Sequence, residues 1–182
     1  MIKDEIVSAS YGEANYHTKA VCVDVAFQSG KHIHFKSIYE YNLFKALAKR
    51  PDVYSIGYEA VAISYGYKYA DNEGHWQYKP SKYIPDFIVN GKRTDDGKHY
   101  KGILIEGKGF WDNKNRRKYR DMHKQHPKLM LYFMLAEPNI KYYMRDFGFK
   151  YGCGTRIPGW WFSPKYRRKF ECQPKKGGVI IE

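Results

Sequence analysis

The order of patterns along the chain predicts an α/β domain built on a small mixed β-sheet. Three observations carry that expectation. An amphipathic helix pattern precedes several β-branched and aromatic runs, a strongly basic helix pattern interrupts those runs, and a short all-apolar strand follows it. At 182 residues the chain is long enough for one domain with a true core and short for two.

Residues 1–35 read as an N-terminal extension. Within it, KAVCVDVAFQSGKHIHF (19–35) alternates around a Ser-Gly turn, which predicts a β-hairpin. Residues 36–150 read as the core. They open on SIYEYNLFKALAKRPD, with Ser37 as N-cap, Glu40 three positions on, and an apolar stripe of Leu43, Phe44, Leu47 and Ala48 closed by Pro51. VYSIGYEAVAISYGYKY (53–69) predicts one or two strands and ADNEG a turn. KYIPDFIV and YKGILIEGKG read as two strands joined by the polar loop NGKRTDDGKH. Asp112 is the expected cap of a basic helix that runs to about Gln125 and stops before Pro127. LMLYFMLA is a strand of the type buried on both faces. PNIKYYMRDF reads as a helix, YGCGTRIPGWW as a loop, and residues 151–182 as a basic C-terminal segment.

Thirty-two Lys and Arg against nineteen Asp and Glu leave a net charge of +13, a field that attracts polyanions, nucleic acid first among them. The same charge also serves as a solubilising surface. Cys22, Cys153 and Cys172 are odd in number and widely spaced, which argues for free thiols in a reducing compartment. No signal-peptide pattern or membrane-length apolar run is seen, so a soluble, cytoplasmic protein with no membrane partner is expected. His32 with His34 and His123 with His126 lack a third ligand at zinc spacing, DNEG lacks the closing glutamate of a calcium loop, and no phosphate-loop or dinucleotide glycine motif is present. No small-molecule cofactor is implied.

The chemistry concentrates in two short stretches. Residues two apart on a strand share a face, so Glu106 and Lys108 project with Leu104 while Ile103 and Ile105 point into the opposite layer. Pairing of the two strands brings Asp86 beside Glu106. Two carboxylates held together stay ionised only with a cation between them, and Mg²⁺ suits hard oxygen ligands plus a phosphate. Lys108 would then polarise an attacking water or offset charge growing on the phosphate. The bland alternative is a surface Glu-x-Lys pair and a turn aspartate.

PDF followed by EGK resembles the PD-(D/E)xK nuclease pattern. The longer run YIPDFIV…ILIEGKGFWDNKNRRKYRDMHKQHPKLMLYFML is similar to the phage endonuclease I family, the Holliday-junction resolvases of short-tailed phages. Lys108-Gly109 with Trp111, the Arg116-Arg117-Lys118 cluster and Gln125-His126-Pro127 carry the likeness, which spans roughly residues 36–135. It implies a restriction-endonuclease-like core and a Mg²⁺-dependent endodeoxyribonuclease, with Mn²⁺ able to substitute, that resolves four-way junctions in a bacterial host cytoplasm. It implies Asp86, Glu106 and Glu40 as metal ligands and Lys108 as the catalytic lysine. It further implies an intertwined, domain-swapped homodimer in which Glu40 of one chain completes the other chain's site and IGYEAVAISY forms the bridge. Glu40 also fits a plain capping box with Ser37, although it lies on the face of Phe44 and Leu47. Gly107 departs from the family, which tends to have a larger residue there, and the loop between the carboxylate strands is longer.

Lys114, Arg116, Arg117, Lys118, Arg120 and Lys124 cover more than one face of the basic helix, which suggests a phosphate rail. Arg167, Arg168 and Lys169, with Lys175 and Lys176, form a second patch. No base-reading motif accompanies them, so binding by backbone and shape is expected. The competing readings are a restriction-like or transposon-end nuclease on duplex DNA, and a non-enzymatic basic DNA-binding module in which Asp86, Glu106 and Lys108 are salt-bridge residues.

Overall fold

The computed structural model describes residues 4–11, 21–27, 29–92, 99–109, 113–127, 129, 131–136, 150–153, 173–174 and 178–181. The expected helix at 138–147, the Asp112 cap, the tip of the 90–99 loop and the Arg167–Lys169 patch lie outside them. The protein is α/β. Strands β1 (Asp4–Tyr11), β2 (Val21–Phe27) and β3 (His32–Phe35) form an antiparallel sheet, and helix α1 (Ile38–Ala48) follows. Strands β4 (Val53–Tyr58), β5 (Val61–Ala70), β6 (Trp76–Tyr83), β7 (Phe87–Lys92) and β8 (His99–Lys108) lead to helix α2 (Asn113–Gln125). Strands β9 (Leu131–Leu135), β10 (Lys150–Cys153), β11 (Gln173–Pro174) and β12 (Val179–Ile181) complete the order.

The central sheet is mixed, in the order β10-β9-β8-β7-β4-β12. β8, β9 and β10 run parallel, and β7, β4 and β12 alternate in direction. Parallel β8 and β9 need a crossover, and α2 supplies it. All five residues of β9 are buried, as a strand paired on both edges and covered on both faces requires.

Each face of this sheet has its own apolar cluster, and period-2 alternation sorts β8 between them. Ile103 and Ile105 join Leu43, Phe44 and Leu47 of α1, whereas Leu104 joins Tyr119 and Met122 of α2. Ser37 starts α1 with extended backbone (φ −153°, ψ 152°) and accepts the Glu40 N–H at 3.1 Å, the cap read from sequence. Val23, Val25, Phe27, Ile33 and Phe35 share the α1 cluster, so the segment expected as an appendage packs into the same core as α1. Cys22 is a buried free thiol whose S–H donates to the Lys36 carbonyl at 3.3 Å.

Four elements differ from expectation. KYIPDFIV is not one strand: β6 ends at Tyr83 and β7 begins at Phe87, because Pro85 offers no N–H to a ladder. Polar WQYKPSKY forms β6, an edge strand whose Pro80, opposite Gly66, is tolerated at the edge. KYGC is a parallel strand rather than loop. Parts of the C-terminal segment add strands, β11 to β5 and β12 to β4. Among the described residues no helix is long and apolar enough to cross a membrane.

Candidate active site

The Ile84-Pro85-Asp86 break sets Asp86 at the start of β7, and the Phe87–Ile105 register places it next to Glu106 near the end of β8. The two carboxylates are cross-linked through backbone. The Asp86 N–H donates to Glu106 Oε2 at 3.3 Å, and the Gly107 N–H donates to Asp86 Oδ2 at 2.7 Å. Gly107 also lets α1 approach: a Cβ there would stand 3.2 Å from the Tyr39 ring. A side chain at position 107 would press on that ring.

Glu106 is only 3% exposed and is saturated with donors. Tyr83 donates to Oε2 at 2.5 Å, Tyr119 donates to Oε1 at 2.6 Å, and Lys108 Nζ lies 2.6 Å from Oε1. Tyr119 arrives from α2, and Lys118 Nζ sits 5.0 Å from the Tyr83 ring centroid and 4.5 Å from that of Tyr119. Burial alone would raise the Glu106 pKa, yet the Lys108 and Lys118 charges and the hydrogen bonds from Lys108 and Tyr119 hold it below the ordinary carboxylate range. Lys108 is also mostly buried, which favours its neutral form, but Glu106 opposite holds its pKa well above the usual value.

The other two carboxylates differ. Burial, followed by the charges of Glu106 and Glu40, pushes Asp86 well above its ordinary range. Glu40 is also raised, chiefly by burial, although it accepts from Tyr58 at 2.5 Å and from Ser37 Oγ at 3.1 Å. Its link to Ser37 is therefore a cap contact, while its Tyr58 bond and its electrostatic coupling reach toward the cluster. Glu40, Asp86, Glu106 and Lys108 of one chain lie within electrostatic reach of one another.

Among the described residues no group of three His, Cys, Asp or Glu closes around a point that could hold a metal ion. The donor chemistry nevertheless suits a hard divalent cation: Glu40, Asp86 and Glu106 offer hard carboxylate oxygens within electrostatic reach of one another. Lys108 is the charge partner of Glu106.

The basic helix divides its side chains. Tyr119 and Met122 face the core, Lys118 lies against the Tyr83 and Tyr119 rings, and Arg117, Arg120 and Lys124 line a groove against β5 and β6. Arg116 is half-buried. The Lys114 side chain, with Arg167, Arg168 and Lys169, lies outside the described residues. Sequence reasoning missed Tyr58, Tyr83 and Tyr119. For Tyr119 a signal was available: it stands three positions before Met122 in NKNRRKYRDMHKQ, where every other residue is polar or charged.

Asp86, Glu106 and Lys108 thus stand together near the end of a mixed sheet, beside a basic helix. Endonuclease I of Escherichia phage T7 is 28% identical over 106 residues, covering 53% of this chain and 64% of that protein. The similarity is distant and suggests a nuclease, and the matched region takes in less than two thirds of the relative's length. No family model matches the chain, and no solved structure matches it.

Proposed function

We propose that the protein is a divalent-metal-dependent endodeoxyribonuclease with a restriction-endonuclease-like core that cuts branched DNA at four-way junctions. The observation that carries the reading is the convergence of Glu40, Asp86, Glu106 and Lys108 on one end of the sheet, beside a cationic helix. Asp86 and Glu106, with Glu40, would hold Mg²⁺, or Mn²⁺ in its place. When bound, the ion supplies Lewis-acid polarisation of the phosphate and neutralises developing charge. Lys108 presents an ammonium to the phosphate oxygens, and Glu106 with its two tyrosines fixes where that ammonium stands. Arg117, Arg120 and Lys124 carry the backbone past the site, and Lys118 adds positive potential at Glu106. Symmetric cutting of two strands calls for a two-fold homodimer. Exchange of the Glu40 segment would open the sharp bend at Glu59, whose φ of 44° is unusual for a non-glycine residue.

The test is cleavage of a synthetic four-way junction and a matched linear duplex, with Mg²⁺ or EDTA. Junction-selective, Mg²⁺-dependent nicking that Glu106→Ala reduces at least about a hundredfold, while junction binding persists, is expected. Equal cutting of the duplex would favour a restriction-like enzyme. In the same assay, co-refolded Glu40→Ala and Glu106→Ala chains regain one working site only if segments are exchanged. The saturation of Glu106 favours one second reading, a DNA-binding module in which Glu106 and Lys108 are a fold-level ion pair. That protein would show no metal-dependent cleavage at all.

A further inference from the structure

On the side of α2 away from the carboxylates, an open groove of about 810 Å³ separates the helix from the β5–β6 hairpin. Its walls combine two kinds of side chain. Tyr67, Trp76 and Tyr78 come from the hairpin, and Arg117, Arg120 and Lys124 from α2. Trp76 and Tyr78 remain 73% and 62% exposed, so the isolated fold gains little from them.

The aromatic wall is seated rather than loose. A Cβ at Gly66 would overlap the Tyr78 ring, so the bare glycine gives that ring its resting place. The Gln125 side chain then brackets Gly66, accepting its N–H at 2.8 Å and donating Nε2–H to its carbonyl at 2.5 Å. This ties the end of α2 to the hairpin. Arg117, Arg120 and Lys124 recur at helical spacing, and Asp121, 3.8 Å from Arg117 and 3.5 Å from Arg120, leaves the wall positive.

We propose that this groove is a stacking site for unpaired nucleotides of the DNA, with bases on Trp76 and Tyr78 and phosphates on Arg117, Arg120 and Lys124. The proposal rests on the nuclease reading above and deepens it by naming the strand state that the enzyme grips. Aromatic faces interleaved with cations match single-stranded nucleic acid, because a paired and stacked base has no open π-face to offer. Charge argues against a second copy of the chain, which carries +13 itself.

The test is fluorescence anisotropy in EDTA, using a short labelled oligothymidylate and a fully paired duplex. Trp76→Ala/Tyr78→Ala is expected to weaken the single strand by about tenfold or more and the duplex by less than about twofold. Gly66→Ala, which unseats Tyr78 and leaves every charge in place, is expected to lose part of the same single-strand affinity. Equal losses on both DNAs, no loss on either, or a drop in oligomeric mass with unchanged DNA affinity would overturn the proposal. Because binding is read without metal, wild type that cuts no junction yet shows the selective loss would sink the nuclease reading and leave the stacking site standing.

Discussion

The two sides of the central sheet treat their carboxylates in opposite ways. On the α2 side, Glu106 is buried and fully served: two tyrosine hydroxyls, one backbone N–H and one ammonium converge on its oxygens. On the α1 side, Glu40 and Asp86 are less buried and under-compensated, and burial together with their neighbours' charges raises the pKa of both. The first arrangement is self-sufficient as folded. The second is a polar cluster short of positive charge, the kind of stored cost that accumulates where a ligand is to be held.

Substituting each carboxylate by its amide should therefore give opposite signs of stability change. Glu106→Gln leaves the Lys108 ammonium buried without its counter-charge, and a loss of about 3–5 kcal/mol is expected. For a chain of this length that corresponds to roughly 10 °C in Tm. Adding Lys108→Met to Glu106→Gln should recover most of the loss, since removing both charges costs far less than orphaning one. Thermal unfolding of the three proteins decides the matter, and equal losses for single and double variants would show that the ammonium finds another partner.

A smaller effect of the same sign is expected one contact out. Tyr119→Phe removes the hydroxyl that donates to Glu106 Oε1 and leaves the ring against Phe133, whose centroid is 4.9 Å away. The lost hydrogen bond to a charged acceptor should cost about 1.5–3 kcal/mol with little change in packing. Denaturant unfolding at fixed m-value reads it directly. A neutral result would mean that Lys108 and Tyr83 satisfy the carboxylate alone.

The sequence made one side of this comparison more legible than the other. The adjacency of Asp86, Glu106 and Lys108 was legible because strand alternation and hairpin pairing are strict geometric rules, and the β8 residues do divide between the two clusters as period 2 requires. The Ser37 cap and the inward stripe of α1 followed from helical spacing in the same way. The tyrosines were less legible. Eighteen are scattered through the chain, and nothing local distinguishes Tyr83 from those on the surface until the fold sets it against Glu106, whereas Tyr119 carried a helical-spacing signal with Met122. β6 was missed for a related reason. Its exposed, polar, proline-bearing sequence pairs through backbone at a sheet edge, where side-chain patterning carries little information.

The α1 side gives the smallest change in stability and the most specific one. A carboxyl with a raised folded pKa contributes stability that is fully present below its ordinary value, 3.8 for Asp86, and lost as pH rises through the folded value. Asn at this position keeps an oxygen to accept the Gly107 N–H and never ionises. Asp86→Asn should therefore match wild type near pH 4 and exceed it at pH 8 by on the order of 1 kcal/mol, about 2–4 °C in Tm, in EDTA. Glu106, with a lowered pKa, loses its contribution in the opposite direction as pH falls through its folded value, below the window in which Asp86 acts. Mg²⁺ should then raise the Tm of wild type and not that of Asp86→Asn, because a cation can relieve only the charge that is still there. A difference that stays flat from pH 4 to pH 8 would mean that Asp86 is already compensated, and the contrast between the two sides of the sheet would disappear.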